Sequence, residues 1–522
     1  MVPRIDSAFS KQWIAIGLIL AVAVYTQTSL RVLVHLPLEL AYRIAATPPM
    51  WMPLVVLLLA MTAALLLDTA RLRARTDRTA WAIFGLAGAL GIVWFFRAGD
   101  LDWHATGDWK KEWTYYTAWH DGLRQGQLPW YLNETFQGTD RFFANPETVV
   151  APHVLLLAWI SVPVFLVLQY ILLFAIGFVS FRQLSAELRF GPIASMAFMA
   201  IFLLNGNVIG HLSAGHHQWA GYFVIPCMFL FLHRAAAGNA GARTQAGLAL
   251  ALGLMVAVGG WHVFVWCVIF IGVFVAIDRA RWRFGATVAV LVAGLSAVRI
   301  LPAAMIYGGA HPEFVGSYQR LSVLVGALVG EPRNVTDYLD WWEYNAFVGW
   351  AGFVLVTAGL TAPLSLVWRH SVASLWTPSV ALLVLSTFNI YEWTLFQLPG
   401  FVSERVASRL LIVGLLGFAL IGCVQLNLWL KRQALSNARL AALTAAGLLL
   451  MTQLVVHTNG RRPASDRQIG PPSINVVSER RPDTAYAASL GGGALVTLIS
   501  LGMAIRMWRR LPDAHGLVQR IG

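Results

Sequence analysis

The run PLVVLLLAMTAALLL, from Pro53 to Leu67, contains no charged residue. Uninterrupted apolar runs approaching 20 residues are what a helix needs to cross a hydrocarbon core of about 30 Å. Blocks of this kind recur along the whole chain. They leave only 12% of its 522 residues charged, where soluble domains carry about 25%. The pattern predicts an all-α, polytopic transmembrane protein of about 14 spans. The candidate spans are 12–30, 50–68, 79–96, 153–181, 191–205, 218–235, 245–259, 262–277, 285–306, 346–367, 374–390, 410–430, 439–456 and 486–505. The two around Gly259-Gly260 could also form one long or broken helix. No soluble domain and no internal repeat is evident, so residues 1–522 read as a single integral-membrane domain. Arg4 and Lys11 ahead of Trp13–Tyr25 resemble a signal peptide. No convincing cleavage site follows, which predicts an uncleaved first helix.

The net charge of +13 invites a nucleic-acid reading. The placement of the charges argues against it. The connections RLRARTDR, RARWRFG, KRQALSNAR and the tail RMWRR fall on one side if the N-terminus is cytoplasmic. That is the positive-inside pattern, and it accounts for the basic excess without nucleic acid. It predicts a multi-pass protein of the inner (plasma) membrane with both termini cytoplasmic. Cys227, Cys267 and Cys423 all lie in apolar runs, with no metal spacing, and read as small packing residues.

Under that topology the loop from about 97 to 150 is external. It holds eight of the chain's 25 acids: Asp100, Asp102, Asp108, Glu112, Asp121, Glu134, Asp140 and Glu147. Further external loops are expected at 307–345, 390–409 and 457–485, while the inner connections are short. Polar surface built on one side marks the working side. Within the first loop, WKKEWTYYTAWHDGLRQG spaces Trp109, Trp113, Tyr116 and Trp119 along one helical face. This predicts a helix lying in the interface plane with its rings at headgroup depth. Carboxylates at its start would then face the membrane–water boundary.

The stretch GDWKKEWTYYTAWHDGLRQGQLPWYLNETFQGTDRFFANPETVVAPHVLL resembles the first large external loop of GT-C glycosyltransferases. The matching features are an early Asp at Asp108, the interfacial helix, GQLPW (Gly126–Trp130) and GTDRFFANP (Gly138–Pro146). GHLSAGHHQWAGYFVIP, WWEYNAFVG and LPGFVSERVASR resemble later segments of the YfhO-like branch of that superfamily. The resemblance is discontinuous over roughly 97–410. Two spans precede the span leading into the loop, where many members have one.

The resemblance implies inverting transfer of a sugar from a polyprenyl-phosphate-linked donor to a glycan, lipid or protein acceptor on the extracytoplasmic face. Such a transfer needs a general base to take the acceptor's proton. It also needs cations to stabilise charge developing on the lipid phosphate. Asp108 holds the position of the family's loop Asp. Asp102 and Glu112 are rival bases, and a helix N-cap is the plainer role for Asp108. Arg299 falls near a span end and is a candidate phosphate clamp, an Arg snorkelling to the interface, or the partner of a buried acid. Arg320, Arg405 and Arg409 are alternative phosphate partners. His211, His216, His217 and His262 fall at outer helix ends. They are expected to bond sugar hydroxyls or phosphate, or to play no specific part, rather than to hold zinc. Glu343 and Glu404 are candidates to orient an acceptor or neutralise an Arg. No cofactor is expected, and membrane lipids are the surroundings. A transporter or flippase for a lipid-linked substrate, and a polymerase or ligase of lipid-linked glycans, are the alternative functions. A transporter should place polar residues near the midplane and show broken helices.

Overall fold

The computed structural model describes residues 73–97, 108–136, 139–307, 315–330, 341–364, 370–398, 401, 404–432, 437–460 and 483–509. The candidate spans 12–30 and 50–68, Asp100, Asp102, both chain termini and residues 461–482 lie outside these.

The described chain is mostly helical, as its composition demands. In hydrocarbon only a helix satisfies every backbone group within one segment. Among the described residues, five helical stretches are long and apolar enough to cross a membrane: Val162–Glu187, Pro192–Ala214, His217–Ala236, Ala407–Arg432 and Thr484–Arg509. A sixth exists if Arg279–Leu295 and Ala297–Ile306, bent by 72°, count as one span. The apolar helices Ala242–Ala257, Trp261–Ala276, Gly349–Leu360 and Ser371–Leu385 have 10–17 residues each. Sixteen residues rise only about 24 Å, and Gly349–Leu360 and Ser371–Leu385 fall short of the spans expected at 346–367 and 374–390. The break between the first two falls at Gly259, whose φ of +78° places it in the left-handed region. This resolves the Gly259-Gly260 ambiguity as two helices.

Three helices position the polar residues at one end of the bundle. Helix α1 is Arg73–Arg97, α2 is Trp109–Arg124 and α3 is Val162–Glu187. Between α2 and α3 the chain forms a small antiparallel hairpin, β1 (Tyr131–Phe136) with β2 (Thr139–Arg141). Helix α4, Pro192–Leu204, runs through Asn205 into α5, Gly206–Ala214. Asn205 caps α5 by accepting from the Val208 N–H at 3.2 Å.

The bundle's close packing relies on small residues. A Cβ at Gly359 would overlap the Phe418 carbonyl, and one at Gly422 the Leu355 carbonyl. Helices that cannot gain from a hydrophobic effect between them associate by such backbone approach. Cys227, Cys267 and Cys423 are free and buried, as expected of packing residues.

Candidate functional site

The aromatic face of α2 is turned into the protein rather than toward lipid headgroups. Trp109, Tyr116 and Trp119 are buried in the protein. The Trp109 indole N–H donates to the Leu212 carbonyl at 2.9 Å, and that of Trp119 to the Val149 carbonyl at 2.8 Å. The helical period holds, but the environment expected from it does not. A ring stripe at helical spacing fits a protein core as well as a lipid interface, and here the core wins because α5 and residues 142–149 cover it.

That docking builds the site. The Asp108 N–H donates to the Ala214 carbonyl at 2.9 Å, which sets the start of α2 against the end of α5. Helix α5 stops at Gly215 with φ +103°. A Cβ there would overlap the Trp109 backbone nitrogen, so Gly is required on both grounds. The turn delivers His216 and His217 to the first turn of α2.

Asp108 occupies the N-cap position of α2 but does not cap it. Its backbone is helical, φ −71° and ψ −12°, and its side chain makes no capping bond. Its half-exposed carboxylate pairs instead with His216 Nε2 at 3.1 Å and, more distantly, with Lys111 Nζ at 3.9 Å. Burial acts to raise its pKa. The His216 hydrogen bond and the Lys111 charge outweigh that and hold the carboxyl at about 2.

Lys111 sits among three acids. Its Nζ is 2.8 Å from Glu147 and 3.3 Å from Glu112. Burial alone would lower its pKa, but Glu112 and Glu147 raise it. Glu112, fully buried, also contacts His217 Nδ1. Glu147 accepts from Gln218 Nε2. Burial raises the Glu147 carboxyl, yet Lys111, with smaller help from His217 and His262, brings it down to about 2. Sequence reasoning does not single out Lys111 or Glu147 as a site residue. The signal is a Lys beside carboxylates in an apolar chain, where a buried cation needs partners.

The depressed carboxyls give a pH expectation. Both lie below their usual 3.8 and 4.5, so on acidification the unfolded chain takes up protons first. The stabilisation is complete above about pH 4.5 and fades as pH falls toward about 2. Melting temperature in detergent should fall steadily across that window. A flat profile would show that these ion pairs do not stabilise the fold.

On the other side of His216 lies a second layer. His216 Nδ1 and His211 Nδ1 are 2.6 Å apart, and the His211 ring stacks on Trp219 with centroids 3.7 Å apart. His211 Nε2 faces Glu343 at 3.9 Å. The Arg409 guanidinium takes both oxygens of Glu343 in a forked pair and lies 5.2 Å from the Trp219 ring centre. Burial raises the Glu343 carboxyl, but the Arg409 charge lowers it further than burial lifts it. Glu404 accepts from His262 Nδ1 and Trp266 Nε1, each at 2.8 Å.

The structure therefore brings together Asp108, Glu112, His211, His216, His217, Glu343 and Arg409, and places the His262–Glu404 pair in their electrostatic surroundings. His211, His216 and Glu343 have ligand atoms within 4.8 Å of one another, a juxtaposition that sequence spacing does not reveal. To serve a cation, Glu343 would have to surrender its Arg409 fork.

Arg299 is placed elsewhere. It is buried, and its guanidinium donates to the Phe143 carbonyl at 3.0 Å, to Thr148 Oγ1 at 2.9 Å and to the Asn145 carbonyl. These contacts hold residues 143–148 and so position Glu147. The planar fork that a phosphate clamp would need is engaged here with the loop it supports. Arg299→Ala should cost about 3 kcal/mol or more, because a hydrogen bond from a charged donor is worth about 1.5–3 kcal/mol. Thermal unfolding checks this; unchanged stability with weakened donor binding would restore the clamp. Of the other candidate cations, Arg320 and Arg405 are exposed. The Arg320 guanidinium has no ion pair or hydrogen bond among the described residues, and Tyr318, two residues earlier, donates its hydroxyl proton to the Tyr344 carbonyl at 2.9 Å. Arg320 thus projects from a segment tied to the one that carries Glu343.

Comparison of the chain with protein-family models, curated proteins and solved structures finds no match.

Proposed function

We propose that the protein is a membrane glycosyltransferase that moves a sugar from a polyprenyl-phosphate-linked donor to an acceptor, with Asp108 as the base. The reading rests on the motif resemblance and on one observation. A half-exposed carboxylate is anchored at the mouth of a buried acid–histidine–cation cluster, at one end of a bundle otherwise poor in charge. The charge pattern assigns that end to the extracytoplasmic face.

A carboxyl held at about 2 is a weak base toward a resting hydroxyl. An acceptor hydroxyl becomes acidic as its oxygen bonds to an oxocarbenium-like anomeric carbon, so the proton can pass late to a weak base. The Asp108 oxygen not held by His216 is the acceptor of that proton. Arg320, exposed and unengaged among the described residues, is the cation best placed to meet a lipid phosphate. Arg409 stays with Glu343.

A second reading, transport of a lipid-linked substrate, is favoured by the bend of 72° between Arg279–Leu295 and Ala297–Ile306, since broken helices mark transporter sites. One experiment separates the two. Purified protein is given a panel of synthetic polyprenyl-phosphate sugars, and released polyprenyl phosphate is measured. Release above a boiled control is the expected result. No release with any donor, together with passage of lipid-linked sugar across proteoliposomes, would replace the transferase by the transporter.

A further inference from the structure

We infer that a second lipid site, independent of the transfer chemistry, lies at the opposite end of the bundle and takes an anionic phospholipid. A cavity of about 390 Å³ opens between α1, α3 and α4. Its wall includes Trp81 and Phe84 of α1, Val179 and Arg182 of α3, Phe190, and Ser195 of α4.

Its place follows from α3. Near one end of that helix the Gln169 side chain donates to the Tyr116 hydroxyl at 2.9 Å, beside the acid–histidine cluster. Arg182 comes 13 residues later, a rise of about 20 Å. The cavity therefore sits far from the cluster, at the end that the charge pattern assigns to the cytoplasm.

Two features identify the occupant. The first is Arg182, an exposed cation within a candidate span, whose guanidinium has no ion pair or hydrogen bond among the described residues. Its neighbouring charges are already matched. Glu187 accepts from Arg234 at 2.7 and 2.9 Å, and Gln183 accepts from Arg234 at 3.2 Å. Ser185 and Ser195 bond each other at 2.9 Å. The open polar requirement in the cavity, among the described residues, is a guanidinium, and it calls for an anion.

The second feature is an apolar track. Val164, Leu168, Leu172 and Val179 are exposed on α3 at spacings that keep them near one face. The track leads from the cavity toward the cluster end, the direction an acyl chain takes from a headgroup into the bilayer. The Trp81 ring packs edge-on against Phe178 and Phe181, which makes the inner wall rigid. A phosphate at Arg182, with chains along the track, satisfies both features. The cytoplasmic leaflet supplies such lipids, and basic pockets between helices on that side select them.

The test uses the full-length protein in nanodiscs of zwitterionic lipid. Phosphatidylglycerol is titrated in and melting temperature recorded. Wild type should be stabilised in a saturable way, and phosphatidylcholine added at the same level should do nothing. Arg182→Gln should weaken the phosphatidylglycerol response about fivefold, near the worth of one cation at an anionic surface, and leave the zwitterionic baseline unchanged. Val179→Trp, which blocks the track at an exposed position, should weaken it with Arg182 intact. Equal protection by inorganic phosphate alone would overturn the lipid assignment. So would an undiminished response in both variants. A loss of stability in Arg182→Gln that is the same with and without phosphatidylglycerol would reduce Arg182 to a snorkelling side chain.

Discussion

Asp108→Asn should lower turnover by about 10²–10⁴-fold, the usual worth of general-base catalysis, while the protein folds and binds donor. The substitution keeps the side chain's shape and its place between His216 and Lys111. It removes the proton acceptor. Since Asp108 makes no side-chain cap, loss of capping cannot account for any change. Glu112→Gln is the informative contrast. Glu112 is fully buried against His217 and Lys111, out of reach of a substrate hydroxyl. Its substitution should lower stability and alter turnover only through misplacement of Lys111. Normal turnover in Asp108→Asn would remove Asp108 from the chemistry. If Glu112→Gln abolished turnover in a stably folded protein, the base would be the deeper acid.

Arg409→Met should destabilise the protein by about 3–5 kcal/mol, the cost of leaving one member of a buried ion pair without the other. Glu343 would then face His211 with no cation on its two oxygens. Replacing both partners, Glu343→Gln with Arg409→Met, should recover most of the loss, since no uncompensated charge stays buried. Thermal unfolding of the two single variants and the double variant measures the coupling directly. An Arg409→Met protein that melts like wild type would mean the pair is solvated. Arg409 would then be open to a donor phosphate.

Much of the fold is legible from residue order alone. Apolar blocks bounded by basic connections mark helices, and the helical period of Trp109, Trp113, Tyr116 and Trp119 marks α2, because these are local properties of consecutive residues. The concentration of acids at 97–150 points to the loop that bears the site. Span lengths are less legible. Hydropathy leaves open whether the apolar residues around a left-handed Gly259 form one helix or two, and it merges those on either side of the bend at Ser296, where backbone geometry ends a helix without a change in polarity.

Local residue patterns suffice to say that this chain is helical, apolar in long blocks and richest in acid around α2, and they single out Asp108, Glu112, the histidines and Glu343. Their partners come from long-range packing. Asp108 meets His216 because Gly215 lets α5 end against the first turn of α2. Glu147 meets Lys111 because Arg299, more than 150 residues away, holds the intervening loop. Glu343 meets Arg409 across 66 residues. A charge in a low-dielectric interior must be matched by whatever the fold brings near it, and that neighbour is set by packing between distant segments rather than by spacing along the chain.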